Sequence, residues 1–409
     1  MRIAGIVAEY NPFHNGHLYQ ITQTRAETGC DAVVAIMSGN FSQRGTATIA
    51  DKFIRTKMAL LNGIDLVLEL PVPFATASAE MFARAAVSLL HQSQIIDFIS
   101  FGSECGDISL LDTIAQTFLL NAEQLNTLIK YHLKQGLSFP RSRQQAVIEF
   151  LSHLVSPEVY PLLKDALESP NNILGIEYLK AIHQLNASIT PFTVKRISAN
   201  YHDKEITGSI ASATAIRHSI NDHTLQYQHC MPSSAFHLLN PHHLPSMESL
   251  ASFLHFKLIF SKQEELYASW DIPKDLIHTF IKHTKTTPSY ETLVNLSTSK
   301  TYTRATVQRA LLRILLDIHT EGISPFTAQA PLPYIRVLGC RKEAISVLRL
   351  LSSKSHVPLI TNLGKQYDTL DAAQKQFINY ELRATKLYHY LTHQPQLFNQ
   401  DFTQPFILI

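Results

Sequence analysis

The chain has 409 residues, 45% hydrophobic and 17% charged, which is enough apolar matter for a sizeable core and too much for general disorder. Its formal charge is +2, from 35 basic and 33 acidic side chains, so it is no polycation; Cys30, Cys105, Cys230 and Cys340 lie too far apart to suggest a disulfide scaffold or a structural zinc site. No signal peptide precedes the first strand pattern and no apolar run reaches the about 18 residues of a membrane helix, so the expectation is a soluble, cytoplasmic chain of about two or three domains with no membrane partner.

Apolar runs alternate with helical patterns through the first part of the chain. Ile3-Ala4-Gly5-Ile6-Val7-Ala8 reads as a buried strand and residues 16–28 as a helix. Asp31–Met37 is predicted as a second strand, followed by the turn Ser38-Gly39. A helix over Asp51–Asn62 leads to a third strand, Asp65–Leu70, closed by Pro71. A helix over Ser78–Leu90 leads to a fourth, Ile95–Phe101, which ends at Gly102. Strands apolar throughout, in a β-α-β-α rhythm, predict a parallel sheet covered on both faces. From Leu110 to Glu168 the pattern is helical and reads as an insertion, about residues 107–170, in the α/β domain. Asn171–Gln184 continues as helix, and Phe192–Ile197 is a candidate fifth strand. After Met231 helical stretches dominate, broken by joints at Asn240-Pro241, Thr287-Pro288, Ser324-Pro325 and Pro331-Leu332-Pro333. The expected organisation is an α/β domain over residues 1–232 and a mainly helical region over residues 233–409.

Charge divides unevenly between these parts. Residues 1–232 hold 17 Lys/Arg and 20 Asp/Glu, a balance of −3, whereas residues 233–409 hold 18 and 13, a balance of +5. Scatter accounts for such a difference as readily as a nucleic-acid-facing module does.

The strongest local signal is Glu9-Tyr10-Asn11-Pro12-Phe13-His14-Asn15-Gly16-His17, between the first strand and the first helix. An open parallel sheet presents ligands there, beyond the carboxyl ends of its strands. His14-Asn15-Gly16-His17 has the form H-x-G-H at a helix N-terminus, whose free N–H groups favour anions. Two imidazoles one turn apart add donors for phosphate charge, and Gly16 lets a nucleotide approach the backbone. A metal pair is the alternative, but no third ligand of suitable spacing follows. A second signal is Ser209-Ile210-Ala211-Ser212-Ala213-Thr214-Ala215-Ile216-Arg217, with small hydroxyl residues before an arginine at a helix start. Alone it reads as ordinary capping; beside an upstream H-x-G-H it reads as a second phosphate contact.

The pair resembles the nucleotidyltransferase superfamily. The segments Ile6–His17, Met37–Gly45, Asp51-Lys52 with Arg55 and Met58–Leu60, Phe101–Glu104 and Pro170–Tyr178 are similar to the tRNA(Met) cytidine acetate ligase family. The likeness continues through Tyr302-Thr303, Gln308-Arg309 and Arg336–Gly339. Gln20 stands where that family more often has histidine, and Thr46-Ala47 replaces a more usual acidic-proline pair. The resemblance implies a Rossmann-like parallel-sheet domain with a helical insertion, followed by a mainly helical C-terminal domain. It implies that ATP activates acetate as acetyl-adenylate, and that the acetyl group passes to N4 of the wobble cytidine of elongator tRNA(Met). His14, His17, Thr214 and Arg217 are the implied catalytic residues. The implied ATP contacts are Val7, Ala8, Glu9, Tyr10, Asn11, Pro12, Phe13, His14, Asn15, Gly16, His17 and Gln20, then Gly102, Asn171, Arg196 and Ser212. Arg44, Lys52 and Arg55 are candidates for acetate, phosphate or tRNA. Lys282, Lys285, Lys300, Arg304, Arg309, Arg313, Arg336, Arg341 and Lys342 are candidates for a tRNA-facing field. Magnesium is expected with ATP because phosphate charge calls for it. The competing readings are a small-molecule adenylyltransferase, which shares the H-x-G-H chemistry, and an RNA-binding protein without catalysis.

Overall fold

A computed structural model describes residues 1–152, 160–197, 206, 208–222, 224–327 and 331–409. Five strands form the first part of the sheet: β1 (Ile3–Ala8), β2 (Ala32–Ser38), β3 (Leu66–Leu70), β4 (Phe98–Ser103) and β5 (Thr190–Lys195). They lie in the order β5-β4-β1-β2-β3 and every pairing among them is parallel. Chain order reverses between β1 and β4, so the crevice beyond their carboxyl ends is where such a sheet takes a ligand.

The connecting helices are α1 (Asn15–Thr28), α2 (Lys52–Leu61), the short α3 (Val72–Ala75) and α4 (Ala79–Ser93). Between β4 and β5 run α5 (Ile108–Leu120), α6 (Ala122–Lys134), α7 (Phe139–Ser152), α8 (Tyr160–Glu168) and α9 (Pro170–Gln184). The expected helical stretch there includes residues 153–159, which lie outside the described residues. After β5 comes α10 (Ala213–Asn221). Alternate strand residues feed two cores. Val34, Ile36, Leu66 and Leu68 pack with Phe82, Ala86 and Leu90 of α4. Val33, Ala35, Met37 and Val67 pack with Met58 and Ala59 of α2 and Ala215 and Ile216 of α10. Burial on both faces explains why these strands lack polar alternation.

The region after residue 232 is mainly helical, but it also extends the same sheet. β6 (Ile335–Cys340) pairs antiparallel with β3, and the short β7 (Leu359–Ile360) and β8 (Ile407–Leu408) pair parallel with β6. The sheet therefore draws strands from both sides of residue 232.

A buried ionic cluster sits at this junction. Lys52, at the start of α2, has its Nζ 2.6 Å from Glu69 of β3 and 2.7 Å from Asp401, and is itself fully buried. Arg336 of β6 reaches the same two carboxylates at 3.1 and 2.8 Å. Glu381, from the helix Ala372–Leu391, accepts the backbone N–H of Val72. Burial and the charge of Glu69 push the Glu381 carboxyl well above the usual range. Lys52 and Arg336 hold Asp401 below it against burial. Two cations thus face two carboxylates, with Glu381 as a fifth member pushed toward its neutral form by burial and by Glu69.

That assignment separates two substitutions. Asp401→Asn leaves a buried positive charge without its partner and is expected to cost about 3–5 kcal/mol. Glu381→Gln keeps the acceptor for Val72 and removes no charge at neutral pH, so a change within about 1 kcal/mol is expected. Urea unfolding of both variants at pH 7 checks the pair; equal losses would refute the protonated Glu381.

Candidate active site

Beyond β1 the chain turns sharply. Tyr10 takes a left-handed φ of 47°, the Asn11–Pro12 peptide is cis, and the Tyr10 ring packs 4.9 Å from both Phe13 and His17. His14 then caps α1. Its Nδ1 accepts the N–H of Gly16 at 3.1 Å, while the Nδ1 of His17 accepts the N–H of His14 at 3.2 Å. This is a reciprocal capping box made of two imidazoles. Their rings stack with centroids 3.8 Å apart.

The protonation state follows from this geometry. A ring nitrogen that accepts a backbone N–H carries no proton, so the proton of each neutral imidazole sits on Nε2. Burial pushes His14 down to about 3, with Arg196 and Arg217 acting in the same direction. Burial and the neighbouring His14 hold His17 well below its ordinary value. The pair therefore meets the cleft as neutral Nε2–H donors.

Gly16 has a role within the turn itself. A Cβ there would stand 2.9 Å from His14 Cε1 and 3.0 Å from its Nδ1. The missing side chain makes room for the His14 ring.

The rings line a cleft of about 300 Å³. Val7, Ala8, Glu9, Tyr10, Asn11, His14, His17, Gln20, Arg44, Gly102, Asn171, Arg196, Ser212, Thr214 and Arg217 all border it. Gly16 borders a recess of about 40 Å³ that shares His14, His17, Gln20, Gly102 and Arg196 with the cleft. Both elements flanking the cleft present a capped helix N-terminus. At α10, Ser212 Oγ accepts the N–H of Ala215 at 3.0 Å. Arg217 donates to the carbonyl of Asn11 at 2.7 Å and to Thr214 Oγ1 at 3.1 Å, which ties α10 to the turn after β1 and leaves the Thr214 hydroxyl proton for a ligand. Gln20 donates to the Ser100 carbonyl at 3.3 Å. Asn171 donates to Glu104 at 2.6 Å, and that carboxylate also accepts the N–H of Asn172 at the start of α9.

Other expected residues stand elsewhere. Pro12 and Phe13 are buried behind the turn. Asn15 points away, donating to the carbonyls of Ser209 and His229 at 2.8 and 2.9 Å. Lys52 is spent in the ionic cluster. Arg55 is fully buried and donates to the carbonyls of Ala50, Glu9, Ser38 and Gly39. Neither side chain reaches the cleft; both hold its walls. In the C-terminal part, Arg313 is buried against Trp270, Asp271 and the Thr76 carbonyl, and Arg336 lies in the cluster. Arg341 faces Asp65 and Glu343. Lys282, Lys285, Lys300, Arg304 and Lys342 are exposed.

Sequence reasoning left out Ser42, Gln43, Thr46, Phe82, Phe101, Leu174 and Tyr178, which also line the cleft. Most lie within segments that carry the family likeness, and that is the signal that marks them. Gln43 donates its N–H to Glu9 at 2.7 Å, which fixes the loop after β2 against the end of β1. Phe101 and Tyr178 pack with centroids 5.6 Å apart and supply an apolar wall.

Among the described residues, no group of three or more His, Cys, Asp or Glu is placed to hold a metal ion. Among the described residues, the one carboxylate on the cleft wall is Glu9, already an acceptor for Gln43. The residues present do not build a magnesium site of their own. No helix among them is long and apolar enough to cross a membrane.

Comparison with known proteins gives a consistent pattern. The HIGH Nucleotidyl Transferase family matches residues 1–403. The chain is 35% identical over 423 residues to the tRNA(Met) cytidine acetate ligase of Acetivibrio thermocellus, covering 100% of both chains. It is 39% identical over 394 residues to that of Caldicellulosiruptor saccharolyticus, covering 95% and 94%. The crystal structure of Thermotoga maritima TmcAL superposes with a TM-score of 0.92 at 30% identity over the whole of both chains. The form of that protein bound with alpha-thio ATP gives 0.89.

The histidine geometry carries a titration test. In the folded protein His14 is expected to stay neutral from pH 8 to pH 5, with the nitrogen shifts of an Nε2–H tautomer. Because the unfolded chain protonates near about 6.5, the folded state loses the advantage of its neutral histidines as pH falls from there toward the folded value of about 3. Gly16→Ala displaces the ring and is expected to raise its pKa toward 6.5. A ¹⁵N-imidazole NMR titration reads both; a wild-type His14 midpoint near 6.5 would refute the buried neutral pair.

Proposed function

Because the chain belongs to the HIGH nucleotidyl transferase family, and within it to the tRNA(Met) cytidine acetate ligases, we propose that it activates acetate with ATP and transfers the acetyl group to N4 of the wobble cytidine of elongator tRNA(Met). One observation carries this reading: two neutral imidazoles, each with Nδ1 engaged by its own helix start, line a cleft together with the second helix start at Ser212–Thr214. Such a site suits a nucleoside triphosphate, because preorganised donors stabilise phosphoryl charge without reorganising during the reaction.

In the first step an acetate oxygen attacks the α-phosphorus, the bond to the β-phosphate bridging oxygen breaks, and pyrophosphate leaves. His14 and His17 donate through Nε2–H to phosphate oxygens, and Thr214 donates its hydroxyl. Arg217, held by the Asn11 carbonyl, sets its guanidinium against the leaving pyrophosphate. Arg196, beside Gly102 and both histidines, adds positive charge at the opposite wall. Phe101, Leu174 and Tyr178 offer apolar surface to the parts of the ligands that carry no charge. In the second step the cytidine amine attacks the acetyl carbonyl, the bond from that carbon to the phosphate oxygen breaks, AMP departs and the amine's proton passes to solvent. Magnesium enters only as the ion that ATP carries on its phosphates. A tRNA substrate sets the work in the cytoplasm.

Incubation with ATP, labelled acetate and total tRNA, followed by nucleoside analysis, tests the reading. Labelled N4-acetylcytidine with AMP is the expected product. A stable adenylylated metabolite and unmodified tRNA would instead support a small-molecule adenylyltransferase. His14→Ala and His17→Ala each remove one donor, so acetate-dependent pyrophosphate exchange should fall about 10²–10³-fold in each.

A further inference from the structure

Beside the cleft lies a second, larger hollow of about 570 Å³. Its walls come from three places distant in sequence: the loop after β2, the flank of α10, and the start of the helix Arg304–Leu316. Arg44, Thr46, Thr214 and Arg217 border both hollows, so the two are continuous through shared side chains. Arg44, Arg217, His218 and Arg304 face the groove, the amides of Asn221 and Gln308 add hydrogen-bonding groups, and among the described residues no carboxylate lines it.

We propose that this groove is the seat of the acceptor polynucleotide: it takes the phosphodiester backbone of a single-stranded RNA segment and delivers one base into the ATP cleft. The inference rests on the ligase reading and adds where the acceptor lies.

Three observations converge on a polyanion. Arg44 and Arg217 both border the groove and the cleft; burial lowers the Arg217 pKa, Glu9 on the cleft side acts against that, and the charge of Arg44 adds to it, so two guanidinium groups converge where the hollows meet. Arg304 sits at the rim, 2.5 Å from Glu291 and 2.7 Å from Asn295; an exposed pair of this kind is weak enough to yield to a phosphate. The other large hollow, about 510 Å³ among the C-terminal helices, behaves oppositely. Its Lys257 and Arg383 share Asp317, at 2.5 and 2.7 Å, and Glu265 also lines it, so carboxylates stand among its cations. A single strand suits the groove better than a duplex, because a base must leave the stack to meet an adenylate inside a cleft.

The groove walls also lock together. Gly45 has a φ of +77°, and a Cβ there would fall 2.6 Å from the backbone nitrogen of Arg309. The loop bearing Arg44 is thus seated directly on the helix bearing Arg304, and the C-terminal region completes a site begun by the α/β domain.

The test uses the full-length enzyme with Arg304→Glu and His218→Glu, singly and together, and Lys134→Glu on the insertion as a charge control. Acetate-dependent pyrophosphate exchange and tRNA acetylation are measured separately over a range of salt. The double variant is expected to keep wild-type exchange and its KM for ATP, to raise the KM for tRNA about tenfold or more, and to flatten the log–log salt slope by about one per lost phosphate contact. An unchanged tRNA KM and slope in folded double variant overturns the proposal. So does a rise in the KM for ATP instead, which would give the groove to the triphosphate, or an equal loss in Lys134→Glu, which would make the attraction a diffuse field. Failure of exchange in the wild type would count against the ligase reading, not against the groove; binding of an anticodon stem-loop RNA, lost on Arg304→Glu, then reads the groove by itself.

Discussion

Everything at the ligand edge of the sheet leans on the buried ions behind it. Lys52 opens α2, and its backbone N–H is held by Asn40 at 2.8 Å while its ammonium is held by Glu69 and Asp401. Asn40 in turn donates to Thr385 of the helix Ala372–Leu391. Gly39 lies so close to Glu69 and Glu381 that a Cβ would stand 2.9 and 3.2 Å from their oxygens. Residues 38–51, which carry Ser42, Gln43, Arg44 and Thr46 into the cleft, are therefore pinned from below by charges that belong to both ends of the chain. A buried ion pair is a poor source of stability, since desolvation consumes most of the Coulombic gain. Its value here is geometrical. An apolar replacement would fill the space without specifying which strand, loop and helix must meet there.

Arg55 completes that constraint. A guanidinium has five N–H donors in a fixed plane, and here they are spread over the carbonyls of Ala50, Glu9, Ser38 and Gly39. The end of β1 and the end of β2 are thus held at a set separation, and Glu9 with its partner Gln43 follows from it. Lysine, with a point charge and three donors, does not reproduce such a fork. Burial pushes the Arg55 pKa down to about 10, so it stays charged throughout the neutral range and the brace does not weaken with pH.

What could be read from the residues alone was governed by distance along the chain. The H-x-G-H motif was legible because strand, turn and helix are consecutive, and the same locality made β1 to β5 visible to within a few residues. The chemistry within that motif was half legible. Spacing showed two imidazoles at a helix start, but only the capping bonds reveal that they are neutral and that Gly16 exists to seat His14. Lys52 and Arg55 misled because a charged residue in the first turn of a helix ordinarily faces water. Their partners, Glu69, Arg336, Asp401 and a set of carbonyls, come from distant segments. β6 escaped for a related reason. Ile335–Cys340 contains Arg336, which reads as a surface charge until its two buried carboxylates are in place, and β7 and β8 are two residues each.

Regional net charge turns out to be a weak guide to where a polyanion would bind. The balance of +5 after residue 232 includes Arg313 and Arg336, both buried and engaged within the fold. Arg341 is committed to Asp65 and Glu343. The positive charge of the groove instead gathers where the two regions meet, and most of it comes from the part whose balance is −3. Arg44 and Arg217 belong to the α/β domain, Arg304 to the C-terminal helices, and the contact between Gly45 and the backbone of Arg309 sets the distance between them. A field made this way exists only in the assembled fold. Neither region alone carries it, and counting charges along the sequence cannot find it, because what matters is which side chains the fold brings to one wall.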